Sequence, residues 1–271
     1  MSGNDMQALA KGQGYECCFI LPAQLDSRYD YDFRYYAPDH ELEMCGHATV
    51  GAIWLLSNLE MLAKENIRIS TKSGIVEATV SRTSGEGSDD EKEKAIWVEV
   101  SQPAVNMLES IRRQDLIDEI LSVLGISNDD LVPGLSIRNA ATSRVKTLIP
   151  IKSVAALNSL APQFDHVQSL CDALGSTGLY PYAVSDLEDQ VFEARQFPRG
   201  AGYHEDAATG VAASALAFEL LENGLLVDSE ETVEVKQGFA MGCPSEISVR
   251  FREAGGHVVG CWIGGSAVLE A

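Results

Sequence analysis

Three titratable side chains stand where proton transfer can be done: Glu16, past a short helix-like stretch, His47 at the start of one apolar helix, and Asp206 at the start of another. A carboxylate, an imidazole and a second carboxylate make a workable set for moving a proton. Each also has a plain structural reading, Glu16 as an exposed turn residue, His47 as a helix N-terminal residue bonded to backbone, and Asp206 as an N-cap. Spacing alone leaves both readings open. A thiol, Cys45, lies two residues before His47, and reads either as a chemical group or as a small residue packed at the helix entrance.

Those positions depend on two helices that are apolar almost throughout, 48–62 and 209–221, one in each half of the chain. Each is entered through a polar, glycine-containing turn, Glu43-Met-Cys-Gly-His-Ala-Thr in the first half and Glu205-Asp-Ala-Ala-Thr-Gly in the second. The recurrence reads as an internal duplication. A helix that is hydrophobic all round must be enclosed, and a strongly curved sheet wrapped about it is one way to do so. If the two helices face each other by their N-termini, the free N–H groups at each end, worth roughly half a positive charge, converge on one cavity and favour a carboxylate there. The plainer alternative, that both turns only cap their helices, stays open at this point.

Around the first helix the periodicity predicts strands at 31–36, 67–70, 75–81 and 96–100. The stretch 82–94 has no apolar residue and reads as a solvated hairpin loop. Near Pro103 the pattern changes: 107–124 carries the spacing of an amphipathic helix closed by Gly125, and a second unit starts there. Strand-like 136–151, two short helical stretches within 153–174, and strands at 180–184 and 191–197 precede the second apolar helix; strands at 232–236, 246–251 and 257–263 follow it. The expected division is a first α/β lobe over 1–103, completed by a C-terminal strand at 264–271, and a second over 104–263, in keeping with roughly 100–200 residues per domain.

With 45% hydrophobic and 22% charged residues in 271, the chain has the make-up of a globular protein with a sizeable core. Forty acidic against twenty basic side chains give a net charge of −20, which repels a nucleic-acid backbone or an anionic membrane, so neither is expected as a partner. The same field opposes an anionic substrate, and a site for one needs the local positive potential that helix N-termini supply. Cys17, Cys18, Cys45, Cys171, Cys243 and Cys261 form no C-x-x-C pair of the kind that serves zinc or redox chemistry, and a reduced, cytoplasmic compartment is the simpler expectation. Residues 1–11 have no apolar signal core, and no apolar run approaches the ~20 residues that cross a bilayer.

The segment Tyr36-Ala-Pro-Asp-His-Glu-Leu-Glu-Met-Cys-Gly-His-Ala-Thr resembles the (F/Y)-x-P-x-x-E-(L/V)-x-(F/M)-(C/A)-G-H motif of the phenazine-biosynthesis, PhzF-like isomerases. Arg195-Gln-Phe-Pro-Arg-Gly-Ala-Gly-Tyr-His-Glu-Asp-Ala-Ala-Thr-Gly resembles their R-x-F…G-x-x-E-D-(P/A)-A-T-G motif, and Tyr15-Glu-Cys-Cys-Phe stands where they carry S-E-(S/T)-x-F. The resemblance implies an α+β fold of the diaminopimelate epimerase-like type, two similar lobes, each a curved, mostly antiparallel sheet wrapped around a central apolar helix. It implies an isomerase needing no cofactor or metal, which moves a proton between carbons of a small carboxylic acid held between the lobes, and a homodimer. By the same resemblance Glu16 shuttles the proton, while His47 and Asp206 orient the substrate and tune the acid/base. Cys45, Gly46, Ala208, Thr209, Gly210 and Val211 then line the binding site, the two glycines lending backbone N–H groups. A carboxylate desolvated in a cleft near Asp206 would have its pKa raised toward neutrality, so that it both takes and returns a proton. Glu41, inside the first motif, is implied to be a framework residue.

The match departs from the family in two places. Members place a serine after A-T-G, and this chain has Val211; a substrate that used the hydroxyl loses on the order of 1 to 3 kcal/mol, so the substrate is expected to differ from the phenazine precursor. An opening strand pair of about two dozen residues, with an N-P turn, has no counterpart before the helix at 6–11, and an open sheet edge is expected there. Two alternatives stand beside the isomerase. The related proline racemases and diaminopimelate epimerases use a thiol at each helix entrance; Cys45 fits the first position, but Ala207 occupies the second, so that mechanism lacks half its machinery. The other alternative is a catalytically inactive relative that binds a small ligand.

Overall fold

The computed structural model describes residues 1–23, 28–84, 94–226 and 231–269. The chain forms two compact units, Met1–Gln102 with Trp262–Ala271, and Pro103–Cys261.

The first unit contains helix α1 (Gly3–Gln13), strands β1 (Cys17–Pro22), β2 (Tyr31–Tyr36) and β3 (Glu41–Leu42), helix α2 (Gly46–Asn58), and strands β4 (Asn66–Thr71), β5 (Gly74–Ser84) and β6 (Lys94–Pro103). A capping box starts α1: the Ser2 hydroxyl accepts from the Asp5 N–H at 3.3 Å, and the Asp5 carboxylate accepts from the Ser2 N–H at 2.8 Å. Gly14, at φ 75°, ends it in the left-handed conformation that glycine adopts without strain. Met6 and Ala10 of α1 pack on Tyr36, with Cys17, Phe19 and Leu21 around them. The sheet order is β1-β2-β4-β5-β6, with β3 on β2; β2 and β4 run parallel and the other described pairs antiparallel. The core of the expected hairpin loop, 85–93, lies outside the described residues.

The second unit contains β7 (Asn106–Ser110), α3 (Gln114–Leu124), β8 (Arg138–Ala141), β9 (Val145–Pro150), α4 (Val154–Asn158), α5 (Phe164–Leu174), β10 (Gly178–Asp186), β11 (Val191–Ala194), β12 (Phe197–Pro198), α6 (Gly210–Glu222), β13 (Val233–Gln237), β14 (Ser245–Ala254) and β15 (His257–Gly265). Its order is β15-β14-β13-β11-β10-β9-β8-β7, with β12 on β10. Strand β15 is shared between the units at Cys261 and Trp262. It ends at Gly265, so of the strand expected over 264–271 only Gly264 and Gly265 are strand among the described residues.

The helix expected over 107–124 is corrected by the structure. Residues 106–110 form β7, with Asn106 opposite Ala141 and Met107 opposite Ala140, and only 114–124 is helical. The apolar spacing of 107–111 fits either period, and pairing with β8, reinforced by the Arg138 guanidinium donating to the Leu108 carbonyl at 3.1 Å, selects the strand. Helix α3 then packs with α5 through Ile120, Leu124, Val167 and Leu170 over Ile149, Leu179 and Phe197.

The two apolar helices differ in how far they are covered. In α6 every residue from Ala212 to Ala217 is buried, and the helix lies against β8, β9 and β14. Four of those six are alanine, which lets the strands approach closely on all sides. Helix α2 buries Thr49, Ala52, Ile53, Leu56 and Ser57, while Val50, Trp54 and Leu55 are half-buried. The enclosure expected from all-round apolarity therefore goes further for α6, where Val211, Phe218 and Leu221 are half-buried, than for α2. Near its end α6 carries a buried carboxylate, Glu219, which accepts from the Asn223 amide at 2.8 Å and lies 3.3 Å from an Arg138 nitrogen; burial pushes its pKa up. Among the described residues no helix is long and apolar enough to cross a membrane.

Candidate active site

Glu16 is the last residue before β1, and β1 pairs with β2 from Cys17 opposite Tyr36, so the strand start fixes where the carboxylate stands. Cys45 is the N-cap of α2, in extended conformation at φ −138°, and His47 is the second helical residue. The cysteine's backbone is pinned from below: the Thr49 hydroxyl donates to the Cys45 carbonyl at 2.6 Å and meets the Tyr35 hydroxyl at 2.7 Å, all of it buried. These constraints bring three side chains to one point. The Cys45 thiol donates to Glu16 Oε2 at 3.0 Å, His47 Nε2 lies 3.3 Å from the same oxygen, and both ring nitrogens of His47 are 3.6 Å from the Cys45 sulfur. Glu16 is 13% exposed and His47 39%, so the carboxylate is withdrawn from water while the imidazole reaches it. Glu16 is thus not the exposed turn residue of the plain reading. No side chain caps α2, whose first-turn N–H groups have no intrahelical acceptor.

In the second unit, Asp206 precedes α6 by four residues and is not its N-cap, a position held by Thr209. Its carboxylate accepts from the Thr209 hydroxyl at 2.5 Å and from the Ala208 N–H at 3.4 Å. Its backbone is held by Gln196, whose carbonyl accepts the Asp206 N–H at 3.0 Å, and by the Gln237 amide, which donates to the Asp206 carbonyl at 2.7 Å and to Thr209 at 3.1 Å. The buried Tyr180 hydroxyl orients that amide by donating to Gln237 Oε1 at 3.0 Å. Gly210 and Val211 form the first turn of α6, which again has no side-chain cap.

Sequence reasoning missed the supports of this turn. Arg195 and Glu205 form a buried two-pronged pair, with Gln196 between Arg195 and Phe197 fully buried and neither end of its amide bonded. Gln237 carried no signal at all, because its role depends on a partner 31 residues away. Gly238 was equally silent. It sits at φ 81°, and a Cβ there would lie 2.1 Å from the Cys243 carbonyl oxygen and 3.2 Å from that of Ala207. Gly238→Ala is therefore expected to cost at least about 2 kcal/mol, from left-handed strain plus the backbone clash, read as a lowered denaturation midpoint at unchanged slope.

Glu41, in the first motif, is engaged by Arg34 at 2.7 Å and Lys72 at 2.5 Å, and Arg34 above all holds its carboxyl down to about 2 from an ordinary 4.5. A depressed carboxyl stabilises the fold above the unfolded value and loses that contribution as pH falls through the folded one. Glu41→Gln should accordingly destabilise by about 1 kcal/mol at pH 7, solvent screening included, with the gap closing between pH 4.5 and 2 in denaturant titrations.

Taken with its strand order and its two apolar helices, this is the α+β, diaminopimelate epimerase-like fold. Among solved structures the chain superposes on a phenazine biosynthesis protein of the PhzF family from Bacillus anthracis with TM-score 0.82 at 22% identity, covering 98% of this chain and 86% of that one. It also superposes on a probable proline racemase from Agrobacterium radiobacter, with TM-score 0.60 at 13% identity over 98% and 79%. The family model described as phenazine biosynthesis-like protein matches residues 1–271, and the chain belongs to that family as one of its isomerases. An uncharacterized isomerase of Clostridium acetobutylicum is 28% identical over 98% of this chain and 85% of its own length. The trans-2,3-dihydro-3-hydroxyanthranilate isomerase of Pseudomonas aeruginosa is 29% identical over 100% and 88%.

Proposed function

We propose that this isomerase moves a proton between two carbons of a small unsaturated carboxylic acid, with Glu16 as the acid/base and no cofactor. The observation that carries the reading is the Glu16 carboxylate, largely withdrawn from water, in contact with the Cys45 thiol and the His47 imidazole. Ionised Glu16 takes a proton from an sp3 carbon activated by the neighbouring unsaturation, the electron pair shifts along the conjugated system, and the same carboxyl returns the proton to a carbon further along. Atoms and charge balance without an oxidant or reductant. His47 donates to the carboxylate or to a substrate oxygen during the transfer.

The uncapped first turns of α2 and α6, each a natural binder of carboxylate groups, support an acidic substrate, with Asp206 holding the α6 turn in shape. The P. aeruginosa relative's name gives the substrate class a precedent, a dihydro-aromatic hydroxy acid, and Val211 favours a ligand that offers a methyl-sized apolar surface where others offer a hydroxyl.

The test is solvent exchange. Small unsaturated and dihydro-aromatic acids are incubated with the protein in deuterated water and carbon-bound deuterium is followed by NMR. Exchange by wild type that persists in Cys45→Ala supports the glutamate mechanism; exchange lost in Cys45→Ala and kept in Glu16→Gln assigns the chemistry to the thiol; no exchange with any acid that demonstrably binds makes the chain a binding protein. Asp206→Ala should lower turnover far more than it lowers the melting temperature.

A further inference from the structure

The same three side chains have a second property that proton transfer does not require. Glu16, Cys45 and His47 present one oxygen, one sulfur and one nitrogen donor, all within 4.8 Å of one another. Zinc binds sulfur at about 2.3 Å and nitrogen or oxygen at about 2.0 to 2.2 Å, so the edges of a zinc tetrahedron are about 3.5 Å from sulfur to the lighter donors and about 3.3 Å between nitrogen and oxygen. The corresponding separations here are 3.6 Å from Cys45 sulfur to His47 Nε2, 3.3 Å from that nitrogen to Glu16 Oε2, and 3.0 Å from the sulfur to the same oxygen. Two edges already have tetrahedral length, and because both ring nitrogens lie 3.6 Å from the sulfur, the partly exposed imidazole must also turn to aim one lone pair at the metal. The third is a thiol-to-carboxylate hydrogen bond, and opens by about half an ångström when a metal takes the proton's place.

We propose that Glu16, Cys45 and His47 form a reversible zinc site, and that its occupation arrests the isomerase. Binding replaces the thiol proton, which leaves to solvent, so that a dication meets one thiolate, one carboxylate and one neutral imidazole and the cluster ends with no net charge. The fourth position is left for water, which reaches the partly exposed His47, or for a substrate carboxylate. A mixed sulfur, nitrogen and oxygen set suits borderline and soft cations and is a poor match for magnesium or calcium, which take oxygen donors. The net charge of −20 draws cations toward the protein, whereas the N-terminus of α2, with its positive dipole end, limits affinity. A site opposed in this way binds and releases, as a regulatory or inhibitory site must. The arrest, though not the binding, rests on Glu16 being the acid/base, because a carboxylate bound to zinc cannot take a proton from carbon.

Cobalt(II) is the probe for the site, since a thiolate bound to tetrahedral cobalt gives a charge-transfer band in the near ultraviolet and intense visible bands. The full chain should bind one equivalent with both features, and zinc should chase them. The bands should persist in Cys243→Ser, which alters an exposed thiol. They should vanish in Cys45→Ala and Cys45→Ser, and His47→Ala should weaken binding at least tenfold, each variant first shown to be folded by circular dichroism. Absence of a thiolate band in wild type, or its survival in both Cys45 variants, overturns the site. In the exchange assay, turnover should fall in proportion to zinc bound and return on chelation; exchange undiminished at full occupancy overturns the arrest. If the cobalt bands follow the expected pattern while no acid exchanges in the metal-free protein, the zinc site stands and the isomerase mechanism of Glu16 fails instead.

Discussion

Glu16→Gln should lower deuterium exchange into substrate by about 10³-fold, some 4 kcal/mol of barrier, with little change in melting temperature. Glutamine has the same shape, and its amide oxygen can still accept from the Cys45 thiol, so the contacts that place the side chain are kept. What it lacks is a site that takes a proton from carbon and gives it back. Because the loss concerns only the proton in flight, it should fall on kcat and leave KM within a few-fold, the signature of an interaction made in the transition state. Cys45→Ala removes a donor to the carboxylate and should change the rate less than about tenfold. A Glu16→Gln enzyme that keeps more than a tenth of wild-type exchange would falsify the carboxylate mechanism and move the base to Cys45.

Glu16 stands out in the sequence as one of three titratable candidates with two open readings, and its role as the acid/base was legible only through the resemblance to a family motif. Glu16 and Cys45 are 29 residues apart, and the strand that joins them in space, β1, gave no periodic signal: Cys17–Pro22 is a short apolar run, equally consistent with buried strand and buried helix. Cys45 and His47, by contrast, were readable from local sequence, since a glycine between two reactive residues ahead of an apolar run marks a helix entrance. The two apolar helices were evident because their composition leaves no polar face, yet composition could not tell that α6 is enclosed further than α2. That difference depends on which strands arrive. The strand β7 was mistaken for helix for the same reason, its partner β8 lying some thirty residues downstream. Side chains that support a site through long-range bonds, such as Gln237 and Tyr180, leave no trace in local pattern.

Arg195→Met should be the most damaging single change to stability, costing about 3 to 5 kcal/mol against a total of roughly 5 to 15 for a natural domain. The guanidinium meets Glu205 through two parallel bonds of 2.8 Å, from Nε to Oε1 and from Nη2 to Oε2, with both side chains less than a tenth exposed. Its remaining nitrogen donates to the carbonyls of Leu160 at 2.8 Å and Leu157 at 3.3 Å, acceptors just past α4 and near its end, and the guanidinium carbon lies 5.0 Å from the centre of the Phe197 ring. Methionine fills much of the volume and satisfies none of these groups. The loss thus comes from a stranded carboxylate and two buried carbonyls more than from a missing attraction. Two further variants separate those contributions. Arg195→Lys keeps the charge without the fork and should fall between wild type and Arg195→Met. Arg195→Met with Glu205→Gln removes the stranded charge and should recover about half the deficit, giving a coupling energy of 1 to 3 kcal/mol in a double-mutant cycle of denaturation midpoints, in the range of about 0.5 to 3 kcal/mol found for residues in contact. Additive single effects would mean that the pair does not hold the turn. Because Glu205 directly precedes Asp206, the folded fraction of each variant should also show a raised KM, which would tie this buried pair to the carboxylate-binding role proposed for the α6 turn.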